Sequence, residues 1–358
     1  ISTGLIVPSK FFDLAKEGKD FYMFAPHTVK QEYGVTLDDI DIEKYYDELV
    51  ANPNVLKKKK DAREMLNMIA QTQLQSGYPY LMFKDNANKV HANSNIGQIK
   101  MSNLCTEIFQ LQETSIINDY GIEDEIKRDI SCNLGSLNIV NVMETGKFRD
   151  SVHTGMDALT VVSDEANIQN APGVKKANNE LHSVGLGVMN LHGYLAKNKI
   201  GYESEEAKDF ANIFFMMMNY YSIERSMEIA KERGEAYQDF DKSDYASGKY
   251  FDFYTSQEFV PQFEKVKELF ANMQIPTSED WKSLQQQVQE YGLYHAYRLA
   301  IAPTQSISYV QNATSSVMPI VDQIERRTYG NAETFYPMPF LSPETMWYYK
   351  SAFNTDQM

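Results

Sequence analysis

A chain of 358 residues, 43% hydrophobic and 23% charged, carries enough apolar material for one large domain or two ordinary ones. Its formal net charge of −15, from 49 acidic and 34 basic residues, repels a polyanion and argues against a general nucleic-acid binder. The hydrophobic runs, such as the six residues at 213–218, fall far short of the roughly 20 needed to span a bilayer. No signal-peptide pattern opens the sequence, so a soluble, cytoplasmic protein without membrane partners is expected.

The chain opens on Ile1, and residues 4–7 already read as an apolar strand with no flexible lead-in, the look of a cut edge. Residues 57–74 read as an amphipathic helix, because Ala62, Met65, Leu66 and Ile69 recur at three- and four-residue spacing. Lys57 through Lys60, followed at once by Asp61, Arg63 and Glu64, would be its solvated face. Residues 80–83 and 129–142 follow as strand-like runs. The clearest helix is 204–233, with Ser204 as N-cap, Glu205 and Glu206 at the positive dipole end, and Gly234 as the stop. Its apolar stripe is Ala207, Phe210, Ala211, Phe214, Met217, Met218 and Tyr221, with the methionines serving as core filler. A looser aromatic-rich stretch at 237–260 precedes a helix at 279–291 that starts from Thr277 and Ser278 and stops at Gly292. Residues 300–307 read as a last strand. Helices alternating with short apolar strands indicate an α/β fold, and the lack of repeats or linkers indicates one continuous domain over 1–358.

The two cysteines, Cys105 and Cys132, are too few for a disulfide scaffold or a four-thiolate zinc site, so they pack as small hydrophobes or do chemistry. In Ser102-Asn103-Leu104-Cys105-Thr106-Glu107 an extended backbone would put an amide, a sulfur and a carboxylate on one face, offering a redox group beside a general base. A buried structural cysteine next to a surface glutamate fits the same spacing. Ser131-Cys132-Asn133-Leu134-Gly135-Ser136-Leu137-Asn138 suggests a close-packed strand. In Ala302-Pro303-Thr304-Gln305-Ser306-Ile307-Ser308-Tyr309, followed by Asn312-Ala313-Thr314-Ser315-Ser316, hydroxyls after a proline and before a helical turn suit a phosphate, or an ordinary Ser/Thr N-cap. Given the acidic overall field, a phosphorylated ligand would need such a local anion site. His182 and His192 stand beside Gly185, Gly187 and Gly193 without metal-ligand spacing, and are read as packing or hydrogen-bonding residues.

Together and in this order these stretches resemble the large subunit of class I ribonucleotide reductase, and within it the class Ib branch. The resemblance extends to Gly77-Tyr78-Pro79-Tyr80-Leu81-Met82-Phe83, to residues 182–194, to Tyr245-Ala246-Ser247-Gly248 and to residues 320–337, essentially the whole chain. It implies part of a ten-stranded α/β barrel, built of two five-stranded halves around a central finger loop. It also implies that Cys105 becomes the thiyl radical that abstracts the substrate's 3′ hydrogen, that Glu107 is the base on the 3′ hydroxyl, and that Asn103 orients the sugar hydroxyls. Cys132 would be one of two cysteines that reduce the 2′ position, and Ser131, Thr304, Gln305, Ser306, Ile307 and Ser308 would hold the ribonucleoside diphosphate. The implied partners are a small subunit whose metal centre generates the radical, an external thiol reductant of the thioredoxin or glutaredoxin type, and a companion N-terminal segment; the chain itself would bind no cofactor or metal.

Against the family pattern, the upstream effector-sensing part with the second redox cysteine, and the C-terminal tyrosine pair and cysteine tail, have no counterpart here. Tyr348-Tyr349 lies in the stretch 342–353, which matches an earlier, non-radical part of the family. Gln305 stands where the branch usually has glycine, which would allow a positive φ beside phosphate. The expectation is a large-subunit fragment, inactive alone, with its catalytic residues lining one cavity and both thiols free. The rival readings are a glycyl-radical enzyme of the same barrel superfamily and a non-catalytic nucleotide-binding or assembly module.

Overall fold

The computed structural model describes residues 3–350, apart from the side chains at 119 and 329. Ile1 and the last residues of the 342–353 stretch lie outside the described residues. The chain divides into two compact units, Ile1–Ile130 and Ser131–Met358, each with its own core.

In the first unit β1 (Gly4–Ile6), α1 (Ser9–Glu17), β2 (Asp20–Phe24), α2 (Pro26–Tyr33), α3 (Ile42–Ala51), β3 (Lys57–Asp61), α4 (Ala62–Ser76), β4 (Tyr80–Met82) and α5 (Lys84–Lys89) follow in order. Strand β1 runs parallel to β4, and β2 antiparallel to β3. The lysine run is therefore not a helix face. All four lysines lie in β3, where they pair with the more apolar β2, and Lys59 reaches Asp20 across the ladder at 2.7 Å. The helix begins only where Asp61 caps it by accepting the Glu64 N–H at 2.8 Å. Every apolar position that signalled a helix lies beyond that cap, so the period was correct and its start was not. Phe11, Leu14, Phe24, Val29, Tyr46 and Leu49 form the core between these layers.

The second unit contains β5 (Leu134–Asn138), α6 (Ile139–Thr145), α7 (Phe148–Asp164), α8 (Pro172–Leu181), β6 (Gly185–Met189), α9 (Leu191–Lys197) and α10 (Glu205–Arg233). The short α11 (Asp244–Ser247) and α12 (Asp252–Thr255) come next, then α13 (Glu264–Phe270), α14 (Ser278–Tyr291), α15 (Gln305–Val310) and the hairpin β7 (Ile324–Tyr329) and β8 (Ala332–Pro337). Helix α10 is its axis. The Ser204 hydroxyl accepts the Ala207 N–H at 3.1 Å, and Gly234 closes the far end in the left-handed region at φ 66°. Between them the burial wraps most of the circumference, from Asp209 and Phe210 through Met216, Met217 and Met218 to Ile229, rather than one stripe. Helix α14 carries the full capping box, Thr277 with Asp280.

Strand β5 is shorter than the expected 129–142 run, because the Asn138 side chain accepts the Val140 N–H at 3.2 Å and starts α6. Strand β6 runs parallel to β5 and is buried at all five positions. The expected strand at 300–307 is reduced to one parallel bridge, Leu299 to Leu186, after which the chain enters α15. Gly187 permits that approach: a Cβ there would come 2.3 Å from the Ala300 carbonyl oxygen. The α/β class is as expected. Among the described residues the strands pair in four two-stranded sheets, without a closed barrel, and no helix is long and apolar enough to cross a membrane.

Candidate active site

In the first unit a loop is closed at its base by the Gln98–Gln112 bridge, with Gln112 N–H donating to Gln98 at 2.8 Å and Gln112 Oε1 accepting the Met101 N–H at 3.0 Å. The tip is not extended. Thr106 N–H donates to the Asn103 carbonyl at 3.2 Å, and Thr106 takes a positive φ of 68°. Asn103 Oδ1 accepts the N–H groups of Glu107 and Ile108, each at 3.1 Å, so the side chain ties the turn from within. This bond, rather than strand alternation, brings Asn103, Cys105 and Glu107 together. Cys105 is a free thiol, exposed at the turn, while Ile108 and Leu111 are buried anchors. Glu107 Oε2 is buried with no hydrogen-bond partner, an arrangement that asks for a ligand group. Tyr80 belongs to the same neighbourhood. A hydrogen bond to Tyr78 first, then that residue's charge, burial, and the charges of Cys105 and Glu107, push its phenol above the ordinary value. Sequence reasoning gave Tyr80 no role, although the Gly77–Phe83 motif contained it.

In the second unit Cys132 is an exposed thiol outside any disulfide, just ahead of β5 and next to buried Ser131. Asn133 Nδ2 donates to Asn178 Oδ1 at 2.9 Å and to the Ser183 carbonyl at 3.0 Å, fixing the strand's entry against α8 and β6. The segment 304–308 leaves the sheet toward the opposite end of the β5–β6 ladder, since Leu299 runs parallel to β6. Its hydroxyls divide. Thr304 and Ser308 are buried and turned inward, whereas Gln305, Ser306 and Ile307 are exposed. Gln305 is the first residue of α15 and is not among the residues with positive φ, so this position has no need of a glycine.

The histidines behave as structural groups. His192 is fully buried: its Nδ1 accepts the Ile320 N–H at 3.0 Å and its Nε2 donates to the Tyr348 carbonyl at 3.1 Å. Burial pushes its pKa down to about 4. His182 ends α8 in the left-handed region and stacks on Tyr294 at 4.1 Å. Tyr349 is buried, with its hydroxyl donating to the Pro339 carbonyl.

One grouping escaped spacing arguments: ligand atoms of His153, Glu224 and Glu228 lie within 4.8 Å of one another between α7 and α10. The chain already supplies cations there, since Arg149 donates to Glu224 at 2.7 Å and Arg225 to Glu228 at 2.9 Å. A second cation is buried more deeply. Arg298, 5% exposed, donates to Ser222, Asn219 and Tyr245 at 3.3, 3.4 and 3.1 Å, all neutral partners, and its Nε and the Asn219 Nδ2 are without partners.

The family described as "Ribonucleotide reductase, barrel domain" matches residues 1–358. The chain belongs to that family. It is 54% identical over 356 residues to a ribonucleoside-diphosphate reductase subunit alpha of Bacillus subtilis (strain 168), covering 99% of this chain and 51% of that protein. It is 41% identical over 357 residues to the subunit alpha of Mycoplasma pneumoniae, covering 98% and 49% respectively. A third ribonucleoside-diphosphate reductase subunit alpha, from Treponema pallidum, is 30% identical over 370 residues, covering 98% and 41%. The chain thus spans about half the length of these relatives or less.

Proposed function

We propose that this chain is the catalytic segment of a class Ib-like ribonucleoside-diphosphate reductase large subunit, forming a single barrel domain over 1–358 and acting in the cytoplasm. It reduces ribonucleoside diphosphates to deoxyribonucleoside diphosphates by thiyl-radical chemistry once the rest of the subunit and a radical-generating small subunit are in place. The observation that carries this reading is the pairing, in one loop, of an exposed free thiol at Cys105 with a buried, unpartnered Glu107 carboxylate oxygen.

The metal centre of a partner small subunit would supply the one-electron oxidant that removes the hydrogen of the Cys105 thiol. The Cys105 sulfur takes the hydrogen atom from C3′, a step open to a thiyl radical and closed to a thiolate. Glu107 Oε2 accepts the proton of the 3′ hydroxyl, its burial and lack of partner making that hydrogen bond favourable. Asn103 spends its Oδ1 on the loop, leaving the Nδ2 end for a sugar hydroxyl. Cys132, with a second cysteine from the companion segment, supplies two electrons and two protons to the 2′ position: the C2′–O bond breaks, the 2′ hydroxyl leaves as water, a C2′–H bond forms, Cys105 returns its hydrogen to C3′, and the cysteine pair is left as a disulfide that an external thiol of the thioredoxin or glutaredoxin type reduces again. Thr304, Gln305, Ser306, Ile307 and Ser308 form the phosphate side, while Ser131, next to Cys132 at the other end of the β5–β6 ladder, belongs with the redox thiol rather than with the phosphates.

The test is reconstitution. The 358-residue chain alone should form no deoxynucleotide; with the companion segment, the small subunit and a thiol reductant it should turn over. Cys105→Ser should abolish product in that assembly while substrate binding persists. Turnover by the chain alone, or by the Cys105→Ser assembly, overturns the proposal.

A further inference from the structure

The 304–308 segment has only six helical residues after Thr304 and one bridge before it, so its own secondary structure holds it weakly. It is instead gripped at both ends by the chain just downstream. Thr304 Oγ1 accepts the Ser316 N–H at 2.7 Å. At the other end the Ser308 hydroxyl lies 3.1 Å from that of Ser315, and the Ser308 carbonyl accepts the Ala313 N–H at 2.8 Å. Between the grips Gln305, Ser306 and Ile307 face outward. The downstream segment hangs in turn on one side chain. Asn190, 1% exposed and left-handed at φ 73°, accepts the Thr314 N–H at 3.0 Å and the Thr314 hydroxyl at 3.4 Å through Oδ1. Its own N–H donates to the Thr314 carbonyl at 2.9 Å, and its Nδ2 donates to Asn138 Oδ1 at the end of β5 at 3.1 Å. Thr314 Oγ1 also accepts the Gly193 N–H at 3.2 Å, and a Cβ on Gly193 would come 2.0 Å from Asn190 Oδ1.

We infer that Asn190 is a positioning residue for the substrate's phosphate groups, acting through Thr314 and the 313–316 segment to hold the 304–308 loop in its binding conformation. The inference rests on the reading of that loop as the phosphate site. The links in the relay are neutral, and apart from the half-buried Ser315 they are buried: Asn190, Thr314, Ser316, Thr304 and Ser308 are each 3% exposed or less. Such bonds are not screened by salt, and losing one inside the protein leaves its partner unsatisfied. A loop ordered in advance binds without the entropy cost of ordering it on contact. No member of the relay belongs to the loop that carries Cys105 and Glu107, so its loss should weaken substrate binding and spare the chemistry.

The experiment uses the complete large subunit with its small subunit, assayed with ribonucleoside diphosphates. Asn190→Gly keeps the left-handed backbone and removes the amide; Thr314→Val removes only the hydroxyl. Each should raise KM about tenfold with kcat within about twofold. Gly193→Ala should match them by displacing the Asn190 amide, and Thr314→Ser, which keeps the hydroxyl, should behave as the parent. Ser306→Ala and Gln305→Ala separate the two layers of the argument. If either raises KM while Asn190→Gly and Thr314→Val leave it unchanged, the phosphate site stands and the positioning role is overturned. If neither moves KM, the phosphate reading falls and this inference with it. A loss of active, folded enzyme with the KM of the remainder unmoved assigns Asn190 to stability alone and overturns the role.

Discussion

The loop that carries Cys105 and the segment that carries Thr304 and Ser308 are both short connections, and they are held in opposite ways. The first is tied locally, by one asparagine that accepts two N–H groups of its own turn. The second is tied from a distance, through partners contributed by β5, by Asn190 just after β6 and by residues 313–316. A locally tied loop opens without disturbing its surroundings, which suits a thiol that must meet substrate and a radical source. A remotely braced one opens only when its framework does. On the proposed function, reactivity sits on the first and recognition on the second.

The sharpest test of the rigid framework is at Arg298. Its partners are neutral and lie on α10 and the aromatic segment, so Arg298→Ala should leave several buried polar groups unsatisfied beside a cavity and lower stability by about 3–5 kcal/mol. Arg298→Met fills the volume without the charge and should cost clearly less. Urea unfolding measures both, and a cost below about 1 kcal/mol for the alanine variant would show that the second unit does not depend on this network.

Next in size is a pH effect. His192 has a folded pKa of about 4 against an ordinary 6.5, so the unfolded chain binds its proton first as pH falls. Stability is intact above about pH 6.5 and declines by about 1.4 kcal/mol per pH unit toward pH 4. The decline should appear as a falling unfolding midpoint and should flatten in His192→Gln; an unchanged slope in that variant would assign it to other groups.

The smallest effect belongs to the local tie. Asn103→Ala removes two bonds worth about 1–2 kcal/mol together. Hydrogen exchange at the Glu107 and Ile108 amides should quicken about tenfold or more while the global unfolding midpoint stays put. If the midpoint falls as well, the two regions are not held differently.

The same contrast governs what was legible in the sequence. Helices α10 and α14 were readable to within one residue, because Ser204, Gly234, Thr277 and Gly292 act on their own turns. The lysines of β3 looked like a helix face because their partner is β2, more than thirty residues upstream. Strand β6 was hidden by its two glycines, and the reason for Gly187 is a neighbour, Ala300, over a hundred residues later. At the candidate site, residue types and order pointed to Cys105, Glu107 and Cys132. The turn at Thr106 was not foreseen, because Asn103 was assigned to substrate and its bond to the backbone was not considered. Nor was Asn190 singled out, since its partners, Asn138 and Thr314, lie 52 and 124 residues away.

Gly187 gives the fold a tolerance in the engineer's sense. One added carbon would stand 2.3 Å from the Ala300 carbonyl oxygen, so the clearance between β6 and the incoming chain is smaller than a methyl group. The strand therefore acts as a gauge block: the chain that runs on into α15 is set to its datum here, four residues before Thr304. The placement of the 304–308 segment is thus limited at a point that precedes it in the chain.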